Sequence, residues 1–157
     1  MKRPEHIYQT YIRASREQVW EAITAPEFTR QYFHAMHIRS DWKPGSPVTF
    51  EYDDGRVGCE GELLDYDPPR RLSYTWRFMF DEALAKERPS TVAFELEPAG
   101  EATRLRIIHG DFDEDSKVYP MIRDGWAEVI SSLKSLLETG EPLAIAGNTE
   151  AGTRGAA

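Results

Sequence analysis

Cysteine is nearly absent: Cys59 is the single one among 157 residues. An internal disulfide is therefore impossible, and multi-cysteine zinc or iron–sulfur centres are excluded with it. Long apolar runs are missing too. None approaches the roughly twenty residues of a membrane helix. Residues 1–5 lead into no apolar stretch of the kind that marks a secretory signal. A cytoplasmic protein without a membrane span is expected. Positive charge is also scarce, with 19 Lys and Arg against 27 Asp and Glu for a net charge of −8. Nucleic-acid binding needs a clustered basic face. Arg70, Arg71 and Arg77 are too few, and too interspersed with apolar residues, to supply one. No internal repeat, glycine-rich phosphate loop, H-E-x-x-H motif or Ser–His–Asp order occurs.

What is present suits one soluble domain. Hydrophobic residues make up 40% and aromatics 11% of the chain, enough to build a core at this length. Residues 141–157 are rich in Ala, Gly and Thr and hold no aromatic residue. They are expected to form a mostly disordered tail behind a domain at 1–140. Residues 6–13 read as a strand. Ser15 to Gln18 is a capping-box pattern, followed by Val19, Trp20 and Ile23 at helical spacing, with Trp20 expected in the core. Pro26 suits the start of a second short helix at 27–33. A short strand at 37–41 is expected within an irregular connection.

Val48, Phe50 and Tyr52 alternate along the next strand, and Asp54-Gly55 favours a two-residue hairpin turn. That turn places Tyr52 opposite Val57 and Phe50 opposite Cys59, with Gly61 and Leu63 on the same face. Asp67-Pro68-Pro69-Arg70 breaks the chain. Residues 72–80 then put Leu72, Tyr74, Trp76, Phe78 and Phe80 on one face. A loop at 81–89 precedes a strand at 91–97 with Val92, Phe94 and Leu96 on one side. After a turn at 98–101, residues 103–109 present Leu105, Ile107 and His109 together. The last element is a long helix at 117–139, stopped by Gly140. Its stripe of Val118, Ile122, Trp126, Val129, Leu133, Leu136 and Leu137, flanked by Met121 and Ile130, spans about half the circumference. So wide a stripe suits a helix lying in a concave surface. The order is α+β, with a sheet curled around the final helix and a gap that can hold a small molecule.

Several landmarks coincide with a known family. They are Val19 to Thr24 with Pro26-Glu27; Asp67 to Leu72 with Tyr74-Thr75-Trp76; Ser90-Thr91-Val92 with Phe94 and Leu96; Thr103-Arg104-Leu105 with His109; and Gly125-Trp126 with Leu133-Lys134 and Leu137-Glu138. In this order and spacing the chain resembles the START-like, or SRPBCC, superfamily, in the branch named after the activator of the heat-shock protein 90 ATPase. The resemblance implies a helix-grip fold, with about seven antiparallel strands gripping the C-terminal helix around a cavity. It implies small apolar ligands such as lipids, sterols or polyketides, with cyclase or aromatase activity in some members. The eukaryotic activator carries a separate chaperone-binding domain before this fold. Here the strand pattern starts almost at Met1, which makes chaperone binding doubtful.

The cavity-lining candidates are Phe50, Tyr52, Cys59, Tyr74, Trp76, Phe78, Phe94, His109, Met121, Ile122, Gly125, Trp126 and Val129. His109 either orients a ligand carbonyl or acts as general acid/base, or is a strand-end histidine bonded to backbone. Tyr52 and Tyr74 either offer hydroxyls to a ligand or bond them to backbone. Cys59 reads as a small hydrophobe. His34-x-x-His37 with Asp41 does not amount to a metal site. Glu60, Glu62, Asp65 and Asp67 read as a solvated strand face. Gly125 interrupts the helical stripe, so either a strand backbone passes close by or the missing side chain leaves room for a ligand. A binding module for a small apolar molecule, with no cofactor or metal and no assigned catalytic residue, is the leading expectation. A cyclase- or hydrolase-type enzyme using His109 and a tyrosine, or a protein-interaction module for a chaperone or regulator, are the alternatives. Either a monomer or a homodimer is compatible with the sequence.

Overall fold

The computed structural model describes residues 3–144. The elements in chain order are β1 (His6–Ile12), α1 (Arg16–Thr24), α2 (Pro26–Tyr32), β2 (His37–Ser40), β3 (Pro47–Glu51), β4 (Val57–Asp67), β5 (Arg71–Phe78), α3 (Glu82–Ala85), β6 (Ser90–Ala99), β7 (Ala102–Gly110) and α4 (Val118–Thr139). The seven strands form one antiparallel sheet ordered β1-β7-β6-β5-β4-β3-β2. This is the α+β helix-grip arrangement. Five of the six strand pairings join sequence neighbours. The exception is β1, which closes against β7 from His6 opposite His109 to Ile12 opposite Thr103.

Local chemistry sets the element ends. Gln18 N–H donates to Ser15 Oγ at 3.1 Å and Ser15 N–H to Gln18 Oε1 at 2.8 Å, completing the capping box of α1. Pro26 occupies the first turn of α2, where its missing N–H costs nothing. Gly140 stops α4 at φ +89, a left-handed conformation that glycine adopts without a Cβ clash. The start of α4 is held from a distance. Glu87 accepts from the Lys117 N–H at 2.7 Å, and Ser116 Oγ accepts from Val118 and Tyr119 N–H at 3.1 and 3.2 Å.

Two irregularities bend the sheet. The β3–β4 register shifts after Phe50, and Leu64 is left over between the pairs Leu63–Tyr74 and Asp65–Ser73. An extra residue in one strand bends it and raises its twist, so the sheet curls toward the helix. The first shift corrects the expected hairpin. Phe50 does face Cys59, but Glu51, not Tyr52, faces Val57. Tyr52 belongs to the loop, its N–H donating to Arg56 O at 2.8 Å. Two further differences are small. The strand with Tyr74 and Trp76 ends at Phe78 rather than Phe80, and the loop at 81–89 contains the one-turn helix α3, capped by Asp81.

The core lies between the concave sheet face and α4. Leu72, Val92, Leu105 and Ile107 from the sheet and Leu133 from the helix are fully buried there. Ile130, expected on the flank of the helical stripe, is buried as well. Two bonds clamp the helix to the edge strand: Lys134 Nζ donates to Tyr11 O at 2.6 Å, and Arg13 N–H donates to Glu138 at 2.7 Å. Trp20 packs as expected, its ring 5.6 Å from that of Tyr66. Leu143 N–H donates to the buried Ser132 Oγ at 3.1 Å. The remainder of the expected tail, residues 145–157, lies outside the described residues. Among the described residues, no helix is long and apolar enough to cross a membrane.

Candidate functional site

The concave face carries an aromatic cluster that the strand alternation builds residue by residue. Tyr74, Trp76 and Phe78 project inward from β5, Phe50 from β3 and Phe94 from β6. Their rings meet at 5.6–6.4 Å: Phe50–Trp76 at 5.6, Tyr74–Phe94 at 5.8 and Tyr74–Trp76 at 6.4 Å. Trp126 closes the cluster from α4, 5.6 Å from Trp76 and 5.7 Å from Phe94.

A cavity of about 50 Å³ remains between helix and sheet. Trp76 and Phe78 wall it on the sheet side, Ile122, Gly125, Trp126 and Val129 on the helix side, and Phe33, His34 and Met36 close the third side. A second void of about 10 Å³ lies among Phe50, Tyr74, Phe94, Ile130 and residues of α1 and α2. Phe33 and Trp126 line both, ring centroids 5.7 Å apart and nearly perpendicular. The larger void holds little more than a few waters in this conformation. Grooves of about 530 and 570 Å³ exist elsewhere, but both are shallow surface features edged by polar residues such as Arg39, Asp41, Arg16 and Glu17.

Gly125 behaves as a notch. A Cβ built on it meets nothing within 4 Å, so no strand backbone crowds this part of α4. Of the two explanations for a glycine here, close packing is removed. Gly61 shows the opposite case: a Cβ there lies 1.8 Å from the Thr75 carbonyl oxygen.

Sequence alternation does not reveal Phe33, His34 or Met36, which occupy the connection after α2. This stretch is unusual in its backbone. His34 and Ala35 are both left-handed, at φ 53 and 59, a region that costs a non-glycine residue about 1–2 kcal/mol. The reversal turns Phe33 and Met36 into the cavity, where both are buried. Tyr52, Cys59, His109 and Met121 lie outside the lining of both voids.

His109 sits deeper, wholly buried behind Trp126. Trp126 Nε1–H donates to its Nδ1 at 3.0 Å, and its Nε2 lies 2.8 Å from Ser90 Oγ. Because Nδ1 accepts, the proton of the neutral ring is on Nε2 and points at Ser90. Ser90 Oγ–H passes the chain on to the Trp76 carbonyl at 3.4 Å. The histidine is thus bonded to two side chains, not to backbone as one reading expected. Burial, with a smaller contribution from the positive field of His6, depresses its pKa from 6.5 to about 3. A ring with no free lone pair and no access to the cavity is a poor general base. Burial also pushes the Cys59 thiol and the Tyr74 hydroxyl well above their ordinary ranges, so neither ionises near neutrality. His37 Nδ1 is 3.7 Å from Asp53, which Arg30 also binds at 2.6 Å. Among the described residues, no group of three His, Cys, Asp or Glu is placed to hold a metal ion. The acidic run is engaged on the outer face: Ser73 Oγ donates to Asp65 at 2.8 Å, and Arg70 pairs with Asp67.

Comparison with known proteins agrees with this architecture. The family model described as Activator of Hsp90 ATPase homolog 1-like protein matches residues 13–138. A protein from Mesorhizobium loti superposes with a TM-score of 0.72 at 26% identity, covering 86% of this chain and 97% of that one. The Aha1 dimer from Colwellia psychrerythraea gives 0.70 at 20% identity, covering 87% and 98%. An HSP90 activator from Plasmodium falciparum gives 0.69 at 16% identity, covering 85% and 95%. No curated protein matches the chain.

Proposed function

The chain belongs to the Activator of Hsp90 ATPase homolog 1-like family, and on that premise we propose that it binds a small apolar molecule between the sheet and α4. The carrying observation is the apolar cavity at the Gly125 notch, walled by Trp76, Phe78 and Trp126. Ligand sites of drug-sized molecules run to about 300 Å³ or more, so binding requires the 33–36 segment to move outward. Withdrawing Phe33, which lines both voids, joins them into one. The strained backbone at His34 and Ala35 favours a change in this segment. Catalysis through His109 is disfavoured by its occupied nitrogens. The protein acts in the cytoplasm, as a monomer or homodimer. A chaperone or regulator partner is the second reading, favoured by the HSP90 activator among the structural neighbours.

Native mass spectrometry of freshly purified protein, followed by Nile red titration, tests the first reading. Adduct mass or saturable, blue-shifted dye emission is the expected result. No adduct and no saturable dye binding overturns it, and a stable complex with a chaperone in pull-down then favours the second.

A further inference from the structure

We propose that the indole N–H of Trp76 is the polar anchor of this cavity, and that the ligand is a neutral, largely apolar molecule carrying a hydrogen-bond acceptor such as a ketone or ester carbonyl. The proposal rests on the cavity reading above and adds the chemical class of the ligand.

Two indoles wall the cavity, and their N–H groups differ. That of Trp126 is committed to His109 at 3.0 Å. Trp76 is only 4% exposed, and its Nε1 is buried without a hydrogen-bond partner among the described residues. A buried indole N–H ordinarily finds an acceptor, because leaving one unmade forfeits its hydration with nothing in return. The aromatic side chains around the Trp76 ring supply none: Phe33, Phe50 and Phe78 present hydrocarbon, the ring of His109 has both nitrogens engaged, and the hydroxyl of Tyr74, whose ring stacks 6.4 Å away, does not bond to it. An acceptor arriving with a ligand satisfies it.

The same surroundings set the ligand's charge. Among the described residues that line the cavity there is no Lys, Arg, Asp or Glu, and His34 is the one titratable side chain. A carboxylate, phosphate or ammonium group enters such a site only by losing its hydration without a permanently charged partner. A neutral carbonyl loses far less and recovers it at Trp76.

Indanone and indane test this, since they share a shape and differ by the carbonyl. Both are titrated into the parent protein and into Trp76→Phe by calorimetry. The carbonyl's own dehydration is common to both proteins and cancels in the comparison. The expected result is that Trp76→Phe loses at least about fivefold more affinity for indanone than for indane, the size of one hydrogen bond. The Trp76 indole N–H resonance in the parent, identified by its absence from the variant spectrum, should move downfield with indanone and not with indane. Should the variant not fold, the signal is assigned in the parent through its contacts to the neighbouring Phe33, Phe50 and Phe78 rings. Binding of both probes with equal losses in the variant, or with the same indole shift, overturns the anchor while leaving the cavity reading intact. Failure of the parent to bind either probe overturns the cavity reading and the anchor with it.

Discussion

Trp126 donates to one ring nitrogen of His109 and Ser90 sits at the other, so protonating this ring means breaking a bond inside the core. An unfolded chain protonates a histidine near 6.5, whereas folded His109 resists until about 3. Between those values the unfolded state holds more protons, so stability falls as the pH drops through them. This residue alone should remove about 1.6 kcal/mol between pH 6.5 and about pH 5. His6 is shifted in the same direction and adds to the slope. Urea midpoints at the two pH values should show the loss in the parent and a flatter dependence in His109→Gln. An equal slope in both places the effect elsewhere. Gly125 carries a second residue-scale prediction. Gly125→Ala should raise stability by up to about 1 kcal/mol, because helix propensity improves and the Cβ meets open space. Gly125→Leu should stay folded and abolish Nile red binding; retained dye binding or marked destabilisation argues against the notch. Both residues were legible in the sequence, His109 through strand alternation and Gly125 as a gap in a helical stripe. Phe33 and Met36 were not. They sit in an irregular connection, where no periodicity reports side-chain direction, and two left-handed residues decide where they point.

At Gly61 the backbone of β5 runs close against β4. Any side chain there strikes the Thr75 carbonyl, which cannot retreat without disturbing the ladder. Gly61→Ala should therefore cost about 2–3 kcal/mol, read as a lower denaturant midpoint. Glycine at this position looked from alternation like one more inward residue. The sequence carries no signal of how near a neighbouring backbone runs. Helix α1 offers the contrasting case. Its capping box and apolar spacing identify both its start and its buried face, so Trp20 was placed correctly. Trp20→Ala should cost about 3–5 kcal/mol; a variant as stable as the parent means the ring contributes nothing to the core. The two sheet irregularities escaped sequence reading because a bulge changes pairing without changing composition. Asp54-Gly55 marked the turn but not its length, and a longer loop moved Tyr52 out of the ladder.

At the scale of the whole molecule, the element order and the concave core were readable because the sheet is almost entirely built from neighbours in sequence. Alternating strands, two turn signals and one wide helical stripe leave few ways to bury that many aromatic rings. What sequence order alone did not state is the closure of β1 onto β7. A chain ending at residue 116 lacks α4, whose Trp126, Ile130 and Leu133 cover the aromatic face. It should show no cooperative thermal transition and rapid proteolysis; a cooperative melt means the sheet stands without the helix.

Closure of the first strand against the last also bears on how the chain is made. His6 waits for His109, so its partner is synthesised only after about a hundred further residues have been added. At ordinary translation rates that is a delay of roughly 5–20 s. Throughout it, β1 has no ladder to join, and the aromatic residues of β3 and β5 have no helix to cover them. The ribosome must release the chain through residue 109, and α4 after it, before this fold can shut. Its nascent form is therefore exposed to whatever in the cell recognises unpaired strands and bare rings.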